Sequence, residues 1–304
     1  MTAAGTHVAV LMGGWSAERE VSLASGEACA AALERLGYRT TRIDAGPDIA
    51  SRLLEVAPDV VFNALQGRWG EDGCVQGVLE VLAIPYTHSG VLASALAMNK
   101  EAAKLVFANA GIPVAESMVV DRAEAAAAHV MPPPYVIKPV AEGSSVGVHI
   151  VPDGANAPSL PPDDTVLAEK VMVERFVPGR ELTCAVMDDR ALDIIDIVPA
   201  EGFYDYRAKY APGGSRHILP AEIPPDVYAR IQDYTLKAHR ALGCRGVSRS
   251  DFRYDEATGE LVILETNTQP GMTGTSLVPE MAQYAGYSFE ELVDWMVRDA
   301  SCRR

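Results

Sequence analysis

The sequence predicts an α/β fold in three regions, opening on a parallel sheet covered by helices. Three observations carry that prediction. Strand-like and helix-like segments alternate through residues 1–88, the order that builds parallel β-α-β units. A helical stretch then leads into strands broken by Pro132-Pro133-Pro134 and by a glycine-rich loop. The last part reads as long strands, one long helix, a hairpin and a helical tail.

In the first region the apolar run His7–Met12 is a buried strand that enters the turn Gly13-Gly-Trp-Ser-Ala-Glu18. Val21, Ala24, Ala28, Ala32 and Leu36 predict one apolar helical face, stopped at Gly37. Strands at 38–43 and 59–65, with helices at 49–56 and 75–83, complete the alternation. Helical periodicity then runs over 90–110, and Ala123–Ala128 reads as ordinary helix. Strands follow at 135–138, 148–151 and 171–177, the last ending at Pro178-Gly179, and 154–162 is a surface loop. Beyond Glu181 come long strands, a helix over 226–242, a hairpin, and a helical tail from about Phe289.

Composition narrows the function. With 304 residues there is length for two or three domains with buried cores. A formal net charge of −15 argues against a general binder of nucleic acid or anionic membranes, though a local basic pocket fits within it. The five scattered cysteines lack the CxxC spacing of zinc sites or a disulfide framework, which favours a reducing compartment. No signal peptide and no membrane-spanning apolar run is recognisable, so the cytoplasm is the expected location.

The strongest chemical signal is Ser248-Arg-Ser-Asp-Phe-Arg-Tyr254, a turn over 255–259, and Leu261-Val-Ile-Leu-Glu-Thr-Asn267. Glu265 and Asn267 are two apart on a strand and share a face. A turn centred near Thr258 sets Asp251 opposite Glu265, so two carboxylates and an amide oxygen converge. Such hard oxygen donors suit Mg²⁺ or Mn²⁺; a solvated polar sheet face is the plain alternative. Arg249 shares the face of Asp251, where it can neutralise a phosphoryl group.

Lys138-Pro-Val-Ala-Glu-Gly-Ser-Ser-Val-Gly147 is the second signal, with small residues that let backbone N–H groups approach phosphate. It is not a Walker A loop, and a plain hairpin turn is the alternative. Its GxSxG pattern demands a strand–turn–helix elbow, whereas Val148-His-Ile-Val151 continues as strand. The third signal is the turn at Gly13–Glu18, where Ser16 and Glu18 either cap a helix or present a carboxylate to a ligand. Gln66-Gly-Arg-Trp-Gly-Glu-Asp-Gly73 lies at the same sheet edge. Tyr204-Asp-Tyr-Arg-Ala-Lys-Tyr210 is either a lid or a surface loop packed by its tyrosines.

Taken in order, Gly13–Glu18, Glu142-Gly-Ser-Ser-Val-Gly147, Tyr204–Tyr210, Glu265-Thr-Asn-Thr-Gln-Pro-Gly-Met-Thr273 and Ser276-Leu-Val-Pro-Glu280 resemble the D-alanine–D-alanine ligase family of the ATP-grasp superfamily. The resemblance spans nearly the whole chain. It implies an N-terminal α/β domain over 1–88, a central subdomain over 89–177 and a C-terminal subdomain over 178–304, with ATP between the last two. Lys100, Lys138 and the loop Glu142, Gly143, Ser144 and Ser145 would then meet the ATP phosphates. Glu174, Arg175 and Val177 would line the adenine pocket, and Glu181 would face the ribose. Asp251, Glu265 and Asn267 match a site for two Mg²⁺ or Mn²⁺ ions. Arg249 and the backbone of Gly271 match the groups that stabilise the tetrahedral intermediate. By the same resemblance Glu18 holds the ammonium of the first D-alanine, linked to Ser144 and Tyr210. Lys209, Ser276 and Leu277 face the second.

The implied reaction phosphorylates the carboxylate of one D-alanine and lets the amine of another displace phosphate, for peptidoglycan precursor synthesis. Small-molecule substrates only and a homodimer are implied as well. Where the family usually has His-Gly, this chain has Gln66-Gly67, and glutamine does not titrate near neutrality. Two alternatives stand beside this reading: a D-alanine–D-lactate ligase, disfavoured by Tyr210, and a non-catalytic ATP-binding relative.

Overall fold

A computed structural model describes residues 5–143, 147–158, 160, 167–200 and 214–303. Strands β1 (His7–Met12), β2 (Arg39–Asp44) and β3 (Val60–Asn63) form a parallel sheet in the order β2-β1-β3. Helix α1 (Arg19–Arg35) covers one face, and α2 (Ile49–Val56) with α3 (Cys74–Leu82) cover the other. Alternation sends Val8 and Val10 to the α1 side and Ala9 and Leu11 to the α2–α3 side, so β1 is buried on both faces.

The buried face of α1 differs from the periodicity. Ala24 is exposed and Ala28 half-buried, whereas Ser22, Ser25, Gly26, Cys29 and Leu33 are buried. Two serines decide the rotation. Ser22 Oγ donates to the Ala64 carbonyl at 2.9 Å, and Ser25 Oγ accepts the Met272 N–H at 3.1 Å. A Cβ at Gly26 would overlap the Met12 side chain. Close approach and satisfied hydroxyls outweigh the pull of a few alanine methyl groups.

The helical stretch after residue 90 is two helices, α4 (Val91–Met98) and α5 (Lys100–Asn109). Asn99 stands between them in extended backbone, and its side chain caps α5 by accepting the Ala102 N–H at 3.0 Å. Strand β4 (Ser117–Asp121), absent from the sequence expectation, edges a sheet with β5 (Tyr135–Pro139), β6 (His149–Val151) and β7 (Lys170–Arg175), in the order β4-β7-β5-β6. Helix α6 (Arg122–Ala127) packs on it. The loop after β5 joins antiparallel β5 and β6, so it is no hydrolase elbow.

The third sheet runs β11-β10-β8-β12-β13, with β9 (Arg190–Ala191) against β8. Its strands are β8 (Arg180–Met187), β10 (Ile195–Pro199), β11 (Ser215–Ile218), β12 (Ser248–Asp255) and β13 (Glu260–Asn267). Helix α7 (Pro225–Leu242) and the pair α4–α5 pack against it through Phe107, Ile231 and Phe252. Two helices close the chain: α8 (Leu277–Tyr284), which the sequence did not announce, and α9 (Phe289–Asp299). Ser288 and Glu291 form a capping box at the start of α9. Its buried face, Leu292, Val293, Met296 and Val297, joins the core beneath α1. Tyr38 donates to Asp294 at 2.6 Å, so the tail is fastened to the first domain. Among the described residues no helix is long and apolar enough to cross a membrane.

Candidate active site

Two adjoining cavities, of about 790 and 700 Å³, share Gly143 and Asp251 in their walls. The larger lies between the second and third sheets. Alternation builds its ceiling: Tyr135, Ile137, Val171 and Val173 enter the core beneath α6, which leaves Val136, Lys138 and Glu174 for the opposite face. Lys138 Nζ donates to Glu174 Oε1 at 2.5 Å, and Lys104 from α5 pairs with the other oxygen. Burial pushes the Glu174 carboxyl up, but the two ammonium groups outweigh it and hold it below the usual carboxylate range. Arg175, Val177 and Glu181 line the same cavity, with Glu181 3.5 Å from Arg253. Arg175 also turns toward Glu260, at 3.2 Å. The cavity is therefore lined by both signs of charge, with Lys100, Lys138, Arg175 and Arg253 set among five carboxylates.

The floor belongs to the β12–β13 hairpin. Asp251 pairs with Glu265 and Arg249 with Asn267. Nearer the turn the pairs are Phe252 with Ile263 and Tyr254 with Leu261, which leaves Leu264 as an extra residue. That bulge matters. Leu261 and Ile263 are in the core, and an unbroken strand would send Glu265 and Asn267 after them. The extra residue reverses the alternation, so both polar groups emerge beside Asp251. Arg249 grips Asp251 with two donors, Nε to Oδ1 at 2.9 Å and Nη2 to Oδ2 at 2.7 Å. Thr183 Oγ1 and Asn267 Nδ2 donate to the same carboxylate at 2.6 and 3.1 Å. Lys100, the first residue of α5, reaches the Glu142 carbonyl at 2.6 Å and Glu265 at 3.3 Å.

The smaller cavity is walled by the turn after β1, the loop after β3 and the segment after β13. Glu18 makes no side-chain cap on α1; its carboxyl is buried in this wall instead. A Cβ at Gly67 or Gly143 would come within 2.6 or 2.9 Å of Glu18 Oε2, and Gly67 has a φ of +73°. The left-handed backbone makes glycine necessary at Gly67, whereas a side chain at Gly143 would displace the Glu18 carboxylate. Ser16 Oγ donates to the Gln66 carbonyl at 2.7 Å and accepts the Glu18 N–H at 3.2 Å. Gln66 Nε2 donates to the Gln269 carbonyl at 3.2 Å, fixing the approach of Gly271 and Ser276. Ser276 Oγ accepts the Thr273 N–H at 2.9 Å, and Leu277 adds an apolar wall.

The comparisons agree with this architecture at every level. Residues 46–89 match the model of the D-ala D-ala ligase N-terminus, and residues 106–298 that of the D-ala D-ala ligase C-terminus. A D-alanine–D-alanine ligase of Parvibaculum lavamentivorans is 64% identical over 303 residues, covering 98% of both chains. That of Methylobacterium radiotolerans is 64% identical over 304 residues, 98% of this chain and 99% of the relative. The chain belongs to the D-alanine–D-alanine ligase family. Among solved structures, the Bacillus anthracis ligase superposes with a TM-score of 0.81 at 31% identity, covering 97% of each chain. The same ligase complexed with ATP gives 0.79 at 32% identity, over 97% of this chain and 96% of the other. The fold is the ATP-grasp fold of that family, and the protein's class is that of an ATP-dependent ligase.

Within this family frame, Lys100, Lys138, Glu142, Gly143, Glu174, Arg175, Val177 and Glu181 all line the larger cavity. Glu18, Arg249, Asn267, Gly271, Ser276 and Leu277 line the smaller one. Asp251 borders both, and Glu265 borders the larger. Ser144, Ser145, Lys209 and Tyr210, with the candidate lid 204–210, lie outside the described residues. The donor set fits a hard cation only if the Asn267 amide takes part. Among the described residues, no group of three His, Cys, Asp or Glu could hold a metal by itself.

Two groups escaped the sequence reading. Glu71 borders the smaller cavity, and burial, reinforced by the charge of Glu18, pushes its carboxyl well above the usual range. Its signal was a carboxylate five residues after Gln66, on a loop leaving a parallel strand. Lys104 follows Lys100 by four residues, hence on the same helical face.

Gln66, which stands where the resemblance leads one to expect histidine, carries a prediction of its own. Gln66→His is expected to raise turnover several-fold and to add an ionisation near pH 6.5, about the value of a free imidazole, to the pH–rate profile. Unchanged turnover with an unchanged profile would show that no proton is handled at this position.

Proposed function

We propose that the chain joins two D-alanine molecules into D-alanyl-D-alanine at the expense of ATP, supplying a peptidoglycan precursor. The observation that supports this most is the meeting of the two cavities at Asp251 and Gly143, with Lys100, Lys138 and Arg249 around the junction. The larger cavity has the size and polarity for a nucleotide. The smaller suits amino acids: Glu18 for an ammonium, and Arg249 with the Gly271 backbone for a carboxylate or developing oxyanion.

In this reading Lys100 and Lys138 orient the nucleotide phosphates, and Arg249 balances charge as a D-alanine carboxylate attacks the γ-phosphate, breaking its bond to the β-phosphate and releasing ADP as the acyl phosphate forms. The amine of the second D-alanine, bounded by Ser276 and Leu277, then displaces phosphate from the acyl group. Ser144, Ser145, Lys209 and Tyr210 keep the roles the resemblance gives them. Asp251, Glu265 and Asn267 would hold two Mg²⁺ or Mn²⁺ ions, whose charge screens the repulsion between carboxylate and phosphate. The strands of the three sheets fall within 1–88, 89–177 and 178–304, which supports subdomains there, although α4 and α5 pack on the third sheet; family membership supports a cytoplasmic homodimer.

The test is phosphate release with Mg-ATP and D-alanine, with product analysis when D-lactate is added. D-alanine-dependent release and dipeptide alone are expected. No D-alanine-dependent release would overturn the reading, and a depsipeptide product would identify a D-alanine–D-lactate ligase instead.

A further inference from the structure

The reaction accounts for Lys138 and Glu174 but gives no task to Lys104. Its ammonium is buried, with a side chain 7% exposed, against a glutamate side chain 4% exposed. Glu174 offers one oxygen to each lysine, Oε1 to Lys138 and Oε2 to Lys104. The two lysines are not equivalent. Lys138 comes from β5 and lines the larger cavity; Lys104 comes from α5 and does not border it. Lys138 therefore has a choice of anions, Glu174 or a nucleotide phosphate. Lys104 sits behind Glu174, which is its one anionic partner among the described residues.

A buried carboxylate that loses its sole counter-charge bears a penalty comparable to the whole binding energy of a weak ligand. If Lys138 were the only cation on Glu174, leaving it for a phosphate would incur that penalty. With Lys104 in place, the departure leaves a complete ion pair behind and frees Oε1. We infer that Lys104 is a positioning residue that keeps Glu174 ionised and in place while Lys138 transfers from Glu174 to the nucleotide phosphates. The inference rests on the larger cavity being the nucleotide site.

It makes a distinction between ligands that a general structural role does not. Adenosine carries no phosphate and leaves Lys138 where it is; ADP draws Lys138 away. The experiment is calorimetric titration of the full chain with Mg-ADP and, separately, with adenosine. Lys104→Met is expected to weaken Mg-ADP at least about tenfold and adenosine less than about threefold, consistent with the cost of stranding a buried charge. In a Glu174→Gln background the carboxylate that Lys104→Met would strand is absent, so adding Lys104→Met, which also removes the ammonium that Glu174→Gln leaves unpaired, is expected to change Mg-ADP affinity less than twofold. This pair also keeps the inference testable should Lys104→Met alone not fold, because it removes the buried carboxylate that Lys104→Met would strand and leaves only Lys138, which faces the cavity, without its partner. Equal loss of ADP and adenosine affinity would overturn it, as would a tenfold loss in the Glu174→Gln background. A wild-type chain that binds no Mg-ADP would instead remove the nucleotide reading beneath it.

Discussion

Arg249→Ala is expected to lower kcat by about 10²–10³-fold while changing Mg-ADP affinity only a few-fold. The range is that of removing one preorganised donor aimed at developing negative charge. Arg249 lines the smaller cavity beside Asp251, which borders both, and its guanidinium is already oriented by two hydrogen bonds to that carboxylate. That orientation is what makes the loss large, since a preset donor need not be reorganised as charge develops. Asp251 does not collapse with it, because Thr183 and Asn267 still donate to its carboxylate. Arg249→Lys keeps the charge but not the planar fork, so most of the loss should persist. Steady-state kinetics with D-alanine and ATP varied in turn separate the cases. A loss appearing only in the KM for ATP would assign Arg249 to nucleotide binding rather than to the reacting carboxylate.

Glu18→Gln is expected to raise the KM for the first D-alanine by about 30–150-fold, with the KM for ATP nearly unchanged. A charge-assisted hydrogen bond in a desolvated site contributes about 2–3 kcal/mol, which converts to that range. Glutamine preserves the shape of the side chain, and shape is critical here. Gly67 and Gly143 are pressed against the Glu18 carboxyl from two sides, so a smaller replacement would alter two loops at once. The change also removes a negative charge beside Glu71. Burial dominates the raised pKa of Glu71 and Glu18 adds to it, so Glu71 should ionise at somewhat lower pH in the variant. D-alanine saturation curves resolve two binding events, and equal weakening of both would place Glu18 outside the first subsite.

Much of this was legible before any coordinates. The parallel sheet followed from the alternation of strand and helix through residues 1–88, and His7–Met12 begins and ends where its apolar run does. The pairing of Asp251 with Glu265 followed from counting back from the turn, yet the count succeeded for an incomplete reason. The pairs nearest the turn, Asp255 with Glu260 and Tyr254 with Leu261, would have carried Asp251 to Leu264 without the bulge. Tertiary contacts hid the rest. The face of α1 is set by Ser22 and Ser25, hydroxyls that find their partners far along the chain. Helix α8 was masked by Pro279, which reads as a breaker but is tolerated in a first helical turn. Glu71 and Lys104 acquire meaning only from Glu18 and Glu174, which the sequence places far from them.

The extra residue at Leu264 separates two demands that one strand must meet. Between the turn and Ile263 the strand serves the hydrophobic interior; beyond Leu264 it serves the reacting ligands. Without an irregularity the same rhythm would govern both halves, and any polar set placed at odd positions would inherit the orientation of Leu261 and Ile263. A single phase reversal lets each half obey its own composition. The interior half can exchange one aliphatic side chain for another without disturbing the angle at which Glu265 and Asn267 emerge. The hairpin thus behaves as two short strands sharing one backbone, one specialised for cohesion and the other for chemistry.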